Sequence, residues 1–294
     1  MLRSRRKKIG IILLIILFFV LVAALAFMVR TPVLIVTDPS FDRIYGPGRL
    51  MEKRIQLSRE LFRRVIPVSV AETAGDDLLI LAVEAASGSP GMVLFPYRHL
   101  EGARYYKRKY PEVPVFIMGG AKPRNEASLT FVRTNSEDDL YRAGLYAGIL
   151  AGEGRVLFFG DGNVSDYDWE AFVEGLKARE YSGNPVFINI SSDYSSYSDV
   201  GCAVLSGSAS KFLERNLKIP VILFSWLDPG LTPRSVKVVF DDSPWALAAE
   251  AIKKFTLPDE EILVSSRPLV IADRMDKKDF RNMKGVIKEK FQKN

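Results

Sequence analysis

The chain has 294 residues, of which 48% are hydrophobic and 26% charged, and this is the composition of a globular protein. Its length allows a membrane segment plus one large or two small domains. The formal net charge is +6, but the first thirty residues hold six of the 41 basic residues and no acidic one, so the remainder is neutral overall. A body without excess positive charge argues against nucleic-acid binding as the main activity.

The N-terminal residues predict a membrane anchor. Residues 1–8 form a short basic cytoplasmic segment, and an uncharged apolar run then begins at Ile9 and ends at Val29. A run of this length spans a hydrocarbon core of about 30 Å as one helix, and the basic flank keeps the N-terminus in the cytoplasm. A cleaved signal peptide is the alternative, because residues 24–26 fit an A-x-A cleavage site. In both cases the main body is extracytoplasmic, either periplasmic or extracellular.

Residues 31–135 predict a first β/α lobe. Buried strands are expected at 33–37, 65–70, 92–95 and 115–118, and helices at 49–64, 76–86 and 102–110. Such alternation is typical of a doubly wound parallel sheet covered by helices. Small ligands of these sheets bind outside the carboxyl ends of the strands, so we expect the loops after successive strands to form the ligand site.

Residues 136–240 predict a second lobe of the same kind. Ser136 is the expected N-cap of a helix over 137–150, followed by a strand at 155–159 and a helix at 169–179. Small residues recur in the first of these helices at helical spacing, which predicts a very close approach to a neighbouring element: Ala143, Gly144, Ala147, Gly148 and Ala151. Further strands are expected at 186–190, 202–205, 220–226 and 236–240, whereas the Ser/Tyr-rich residues 191–199 predict a loop in place of a crossover helix.

The last part of the chain is predicted to return to the first lobe. Residues 241–262 rejoin that lobe, and residues 263–294 contain short return strands and a basic C-terminal tail. The tail has helical apolar spacing and is expected to be a solvated helix. Contact with anionic lipid headgroups is the alternative for this basic segment.

Polar and aromatic residues follow the predicted strands and are the candidate ligand-binding residues. They are Asp38, Phe41, Asp42, Tyr97, Gly119, Asn135, Asp161, Trp169, Trp226, Asp228 and Asp242. Carboxylates accept hydrogen bonds from hydroxyls and amines, and an aromatic ring covers an apolar face, so the set suits a small polar ligand. Packing is the alternative for the aromatic residues: Phe41 folding back onto its own helix, Trp169 and Trp226 lying in the core.

Patterns typical of an enzyme are missing from the sequence. His99 is the single histidine, Cys202 is the single cysteine, and the chain has no G-x-S-x-G elbow. We therefore predict no catalytic residues, no cofactor and no metal, and an envelope hydrolase or transferase is the least favoured function. His99 is expected to have an ordinary surface role, and Cys202 to be a small buried apolar residue without a disulfide partner.

Three short segments resemble one known family. Residues 38–42 (DPSFD) are similar to the Asp-x-Ser-Phe-Asn loop that follows the first strand in the basic-membrane-protein family of type I periplasmic binding proteins. Residues 141–148 together with 154–160 resemble the family's "aGylAG…GkvgfvGG" stretch. Residues 172–175 resemble the helix that follows it. At the level of the fold the resemblance covers about residues 32–270.

The resemblance implies a fold and a function. The fold would be two doubly wound β/α lobes with a hinge, of the periplasmic-binding-protein-like I class, following an N-terminal transmembrane helix. The family includes purine-nucleoside-binding lipoproteins, which implies that Phe41 stacks on a base, Asp38 bonds to the edge of that base and Asp228 accepts from ribose hydroxyls.

The sequence thus favours a membrane-anchored extracytoplasmic substrate-binding protein that captures a small polar, nucleoside-like ligand between two lobes. Its partner would be an ABC permease or a sensor protein in the cell envelope. The alternative is a degenerate binding fold that acts as a sensory or scaffold module for a membrane partner. Convergence of acidic and aromatic residues at one site favours the first function, and a filled site favours the second.

Overall fold

The computed structural model describes residues 2–39, 54, 56–58, 62–71, 73–119, 122–123, 126, 128–160, 165–189, 199–206, 218–224, 233–241, 244–253 and 261–291. The chain divides into two units. The first contains Met1–Phe131 and Ala251–Glu261, and the second contains Val132–Glu250 and Ile262–Asn294.

The helices in the described residues are α1 (Leu2–Val29), α2 (Asp76–Ala86), α3 (Leu100–Lys109), α4 (Ser136–Ala151), α5 (Asp166–Lys177), α6 (Pro244–Lys253) and α7 (Lys277–Phe291). The strands are β1 (Val33–Thr37), β2 (Val65–Ser69), β3 (Met92–Pro96), β4 (Val115–Met118), β5 (Thr130–Thr134), β6 (Arg155–Gly160), β7 (Val186–Asn189), β8 (Val200–Leu205), β9 (Val221–Phe224), β10 (Val236–Asp241), β11 (Glu261–Val264) and β12 (Arg267–Val270). Short 3₁₀ turns lie at Tyr97–His99 and Ala272–Arg274.

The first sheet has the strand order β11-β5-β4-β3-β1-β2. Strand β1 pairs in parallel with β2 and β3, and β3 pairs in parallel with β4. All five residues of β1 are buried, as expected for a central strand with an uninterrupted apolar sequence. The core on one face joins the sheet to α2 and α3 through side chains such as Leu79, Val83 and Tyr106.

The second sheet has the strand order β12-β10-β9-β8-β6-β7. Its strands pair in parallel except at one edge, where β12 runs antiparallel to β10. The predicted α/β class with two parallel-sheet lobes is therefore confirmed. The two short return strands belong to different sheets, which the sequence does not indicate. Strand β11 joins the first sheet and β12 joins the second, with only Ser265 and Ser266 between them.

Helices α4 and α5 approach each other through glycines. A Cβ atom placed on Gly144 would lie 2.1 Å from the carbonyl oxygen of Phe172, and one on Gly175 would lie 2.0 Å from that of Tyr141. Side chains at these positions would collide with backbone, so only glycine permits the observed separation. The close approach predicted from the small residues of α4 is confirmed.

Helix α4 begins at Ser136, one residue earlier than predicted, and its N-cap is likewise one residue earlier. The side chain of Asn135 accepts a hydrogen bond from the Asp138 backbone N–H at 3.3 Å, so Asn135 is the N-cap and Ser136 is the first helical residue. Ser136 instead donates its hydroxyl to Asp168 Oδ1 at 2.9 Å. Both residue types are good N-caps, and the one directly before the first helical residue takes the role.

The C-terminal tail is a helix that packs within the second unit. Met283 of α7 is fully buried in the core cluster that includes α4, so α7 is not solvated on all sides as expected. The predicted helix at 49–64 and the loop at 191–199 lie mostly outside the described residues. Counting only residues whose side chains the structure describes, no helix is long and apolar enough to cross a membrane.

Candidate functional site

Three of the predicted ligand-binding residues lie at the same edge of the first sheet. Asp38 directly follows β1, Tyr97 follows β3 and Gly119 follows β4. These three strands are neighbours and run in parallel, so their carboxyl ends meet at one edge. This carboxyl edge is where sheets of this type bind small ligands.

Asp38 is a buried carboxylate held by two side chains from the turn after β3. Its side chain has no exposed surface, and its Oδ2 lies 3.3 Å from Arg98 Nη1 and 3.8 Å from His99 Nε2. A buried carboxylate is costly unless a charge or hydrogen-bond donor compensates it, and Arg98 supplies the charge. The guanidinium side chain is 40% exposed, so the pair extends from the interior to solvent.

His99 is buried, which contradicts the surface role expected for it. The 3₁₀ turn Tyr97–His99 directs the imidazole inward, where 6% of the side chain stays exposed and Nε2 has no hydrogen-bond partner among the described atoms. Burial lowers the pKa of His99, and Arg98 lowers it further, against the opposing effects of Asp38 and Asp76. The imidazole is therefore neutral at neutral pH.

Tyr97 and Gly119 complete the described part of this edge. The Tyr97 ring is 40% exposed and makes an edge contact with Phe131, with 6.5 Å between the ring centroids. Gly119 has a φ of +79°, a backbone conformation that favours glycine, and open space surrounds the position of a Cβ. The glycine is thus required by the turn after β4 and not by tight packing.

Asn135 has a structural role at the start of α4. Besides capping the helix with its side chain, it donates its backbone N–H to the Val264 carbonyl at 2.7 Å. Asp139, in the first turn of the same helix, accepts hydrogen bonds from the Ser266 N–H at 2.8 Å, from the Ser266 hydroxyl and from Arg142. Burial raises the pKa of Asp139, and the bonds from Ser266 and Arg142 oppose this effect.

Trp169 lies in an aromatic cluster of the second unit. Its indole stacks on Phe172 at 5.5 Å and makes edge contacts with Phe158 and Phe187, each at 5.9 Å between ring centroids. The ring is partly exposed, so packing does not enclose it completely. The tryptophan belongs to this cluster, and a contact with ligand stays a prediction.

The other candidate residues lie outside the described residues: Phe41, Asp42, Asp161, Trp226, Asp228 and Asp242. Cys202 is fully buried and burial raises the pKa of its thiol, so the expectation of a small buried apolar residue is confirmed. In the described part of the chain, no group of three or more histidine, cysteine, aspartate or glutamate side chains is arranged to hold a metal ion.

Two units that each contain a largely parallel sheet match the fold of the type I periplasmic binding proteins, and such proteins are among the similar solved structures. A transcriptional activator of the comK gene from Bacillus halodurans is similar over 88% of this chain and 96% of its own, with a TM-score of 0.64 and 12% identity. A periplasmic ribose ABC transporter protein from Conexibacter woesei is similar over 82% and 92%, with a TM-score of 0.53 and 16% identity.

A third similar structure is an ABC transporter periplasmic solute-binding protein from Actinobacillus succinogenes with bound D-allose. It is similar over 86% of this chain and 100% of its own, with a TM-score of 0.51 and 11% identity. No family model matches the chain, and no curated protein matches it either. At these identities the likeness concerns the fold alone, and membership of the basic-membrane-protein family stays a prediction.

Proposed function

We propose that this chain is an extracytoplasmic ligand-binding protein whose ligand contacts the carboxyl edge of the first sheet. The observation that carries the proposal is the partly exposed ion pair of Arg98 with buried Asp38, flanked by the exposed ring of Tyr97. A buried carboxylate at the ligand-binding edge of this fold is costly to maintain, and ligand recognition is a reason to maintain it.

The chemistry of this edge suits a small ligand that carries hydroxyl groups. Arg98 donates in a fixed planar fork, and the aromatic face of Tyr97 covers a flat apolar surface. Two of the similar structures are described as a ribose transporter protein and a protein with bound D-allose. A sugar fits this description, and a nucleoside, which the sequence favours, adds a base for stacking on Phe41.

We also propose that α1 anchors the protein in a membrane. This helix extends from Leu2 to Val29, and its apolar side chains at residues 14–22 are exposed on every side. Leaving apolar surface in water costs about 25 cal/mol per Å², so such a helix requires a lipid or protein cover. The uncharged run that begins at Ile9 has the length for a bilayer. The body then lies outside the cytoplasm, next to an ABC permease or a sensor.

The experiment that tests ligand binding begins with native mass spectrometry of the full chain released gently from detergent, which detects a co-purified small molecule. Calorimetry with ribose, allose, adenosine and guanosine follows. Asp38→Asn removes the charge that Arg98 compensates, and we expect affinity to fall by about 10- to 100-fold, the value of a hydrogen bond to a charged group. Asp273→Asn makes the same chemical change at an exposed position of the second unit, and we expect it to leave affinity unchanged.

Two results would count against this function. Unchanged affinity in D38N, with folding verified by circular dichroism, removes the ligand from the carboxyl edge of the first sheet. Phe41→Ala without effect on a nucleoside removes the stacking role alone.

A sensory or scaffold module for a membrane partner is the second candidate. It is favoured by the exposed apolar helix, which a partner helix covers as well as lipid does, and by the pairing of Asp38 within the protein itself. Absence of bound small molecules and of heat on mixing with sugars and nucleosides would support this candidate over ligand capture.

A further inference from the structure

We propose that the first unit lies on the membrane through a basic surface at the amino ends of its strands, and that this surface binds anionic phospholipid headgroups. The inference rests on the proposed membrane anchor. We call this surface the amino edge; it comprises residues 30–32, the starts of β2 and β3, and the chain that leads into β4. It is distinct from the carboxyl edge, where Asp38 lies.

The connection from α1 to the sheet is too short to leave the amino edge far from a bilayer. Helix α1 ends at Val29 and β1 begins at Val33. Even fully extended, this connection spans only about 14 Å. The headgroup layer adds about 5–8 Å on each side of the hydrocarbon core. An anchored α1 therefore keeps the amino edge within reach of the headgroups, and their charge then decides whether the two are in contact.

Contacts at the end of α1 fix this arrangement further. Phe27 makes an edge contact with Phe62 at 5.6 Å between ring centroids, and the Arg30 guanidinium lies 5.2 Å from the centre of the same ring. Arg63 donates to the hydroxyl of Thr31 at 3.4 Å. The last turn of the helix is therefore seated on the residues that precede β2.

Basic side chains predominate at the amino edge. Because β3 and β4 are parallel, α3 returns the chain to this edge, where Lys107 donates to the carbonyl oxygens of Pro111 and Val113. Arg54 likewise donates to the carbonyl of Val65 at the start of β2. The described basic residues here are Arg30, Arg54, Arg63, Arg64, Lys107, Arg108 and Lys109, and the described acidic residues are Glu84 and Glu112.

Pairing within the protein reduces the acidic contribution to this edge. Glu84 accepts hydrogen bonds from Lys109 and from the Tyr110 hydroxyl, both at 2.7 Å. These bonds lower the pKa of Glu84, whose charge is then balanced by Lys109. The remaining excess of arginine faces the layer where the phosphates of an anionic bilayer lie, so the charges are complementary.

This arrangement has a consequence for ligand access. Strand β1 is about 16 Å long, so Asp38 and the carboxyl edge are raised above the headgroups and face away from them.

Each basic residue close to an anionic surface contributes about 1 kcal/mol, or about five-fold in the equilibrium between docked and undocked units. Loss of two residues lowers docking by about 30-fold, and salt screens the attraction.

The test uses the full chain in nanodiscs of either phosphatidylglycerol or phosphatidylcholine with a headgroup-linked energy acceptor. A donor dye is placed at Ser89→Cys, exposed between α2 and β3 at the amino edge, or at Ser69→Cys, exposed at the carboxyl end of β2. Buried Cys202 stays unlabelled. We expect strong energy transfer from position 89 in phosphatidylglycerol, a decrease in 0.5 M salt or phosphatidylcholine, and weak transfer from position 69 throughout.

Charge variants identify the source of docking. Arg64→Gln with Arg108→Gln removes two exposed charges from the amino edge, and Lys177→Gln with Lys218→Gln removes two exposed charges from the second unit as a matched control. Only the first pair is expected to reduce the difference in energy transfer between the two lipids. Equal transfer from position 89 in both lipids overturns the inference alone. Failure of the chain to enter discs refutes the anchor, and the inference with it.

Discussion

The close contact between α4 and α5 gives a sharp test of the packing. Gly144→Ala adds a methyl group 2.1 Å from the Phe172 carbonyl oxygen, 2.9 Å from the Leu176 nitrogen and 3.0 Å from the Gly175 Cα, all of which are backbone atoms of α5. Backbone cannot move aside as a side chain can, so the two helices must separate. Overpacking of this kind costs about 1–3 kcal/mol, and the better helix propensity of alanine offsets about 1 kcal/mol of it.

Gly148→Ala is the matched control, one helical turn further along α4. The nearest atom to its new methyl group is Arg179 Cβ at 3.1 Å, and the nearest backbone atom is 3.6 Å away. Arg179 lies beyond the end of α5, so a shift of a few tenths of an ångström there relieves this contact without separating the two helices. The propensity gain then remains, and stability is kept or raised. The two alanine variants share the same residue change, the same helix and the same solvent, and differ only in what the methyl group meets.

Thermal unfolding of the full chain in detergent, followed by circular dichroism, measures this difference. A gap of about 2 kcal/mol between the variants corresponds to roughly 4–8 °C in Tm for a unit of this size. Gly175→Ala, which meets the Tyr141 carbonyl at 2.0 Å, is expected to behave like Gly144→Ala. Combining both substitutions costs less than the sum, because the same gap opens once. Equal Tm values for G144A and G148A would refute this account of α4 and α5.

Three further predictions concern buried titratable groups. Because the folded pKa of His99 is lowered, the contribution of its neutral form to stability is complete above the unfolded pKa of about 6.5 and falls as pH drops below that value. We expect His99→Gln to weaken the dependence of the unfolding free energy on pH in this range, measured by urea unfolding at several pH values. The folded pKa of Asp139 is raised, so its contribution is complete below about pH 3.9 and is lost as pH rises through the folded value. We therefore expect the unfolding free energy of Asp139→Asn to stay constant as pH rises above that value. Asp139→Ala costs about 1–3 kcal/mol, because it leaves the Ser266 N–H without an acceptor. Cys202 reacts with a thiol reagent only at the rate of unfolding, because burial both encloses the sulfur and raises its pKa; fast labelling of the native protein would contradict its placement.

Regular patterns made most of the fold predictable. Uninterrupted apolar runs such as Val33–Thr37 allow no exposed face, so they predict central strands, and alternation with helices then predicts the parallel topology. The small residues of α4 predicted close packing because small side chains on a buried helix face leave a gap unless a neighbouring element approaches closely. Topology also accounts for the meeting of Asp38 with Tyr97 and Gly119, since parallel neighbours share an edge.

Features that depend on one residue or on distant contacts were not predictable. A single 3₁₀ turn decides that His99 points inward, and no periodicity records it. Strands β11 and β12 are four residues each, and their sequences do not indicate which sheet each one joins. Asp139 lies in the first turn of α4, and that position does not indicate its burial, because its partner Ser266 is distant in sequence.

Two of the buried carboxylates, Asp38 and Asp139, differ in access to solvent, and this difference separates a ligand group from a structural one. Asp139 bonds to Ser266, which is itself 1% exposed, so a molecule from solvent reaches neither member of the pair. Asp38 is equally buried, but its partner Arg98 is 40% exposed and extends the pair to the surface of the carboxyl edge. A ligand that bonds to Arg98 therefore acts on Asp38 as well. We expect D38N to change ligand affinity and D139N to change only stability; the reverse result would assign the ligand to the start of α4.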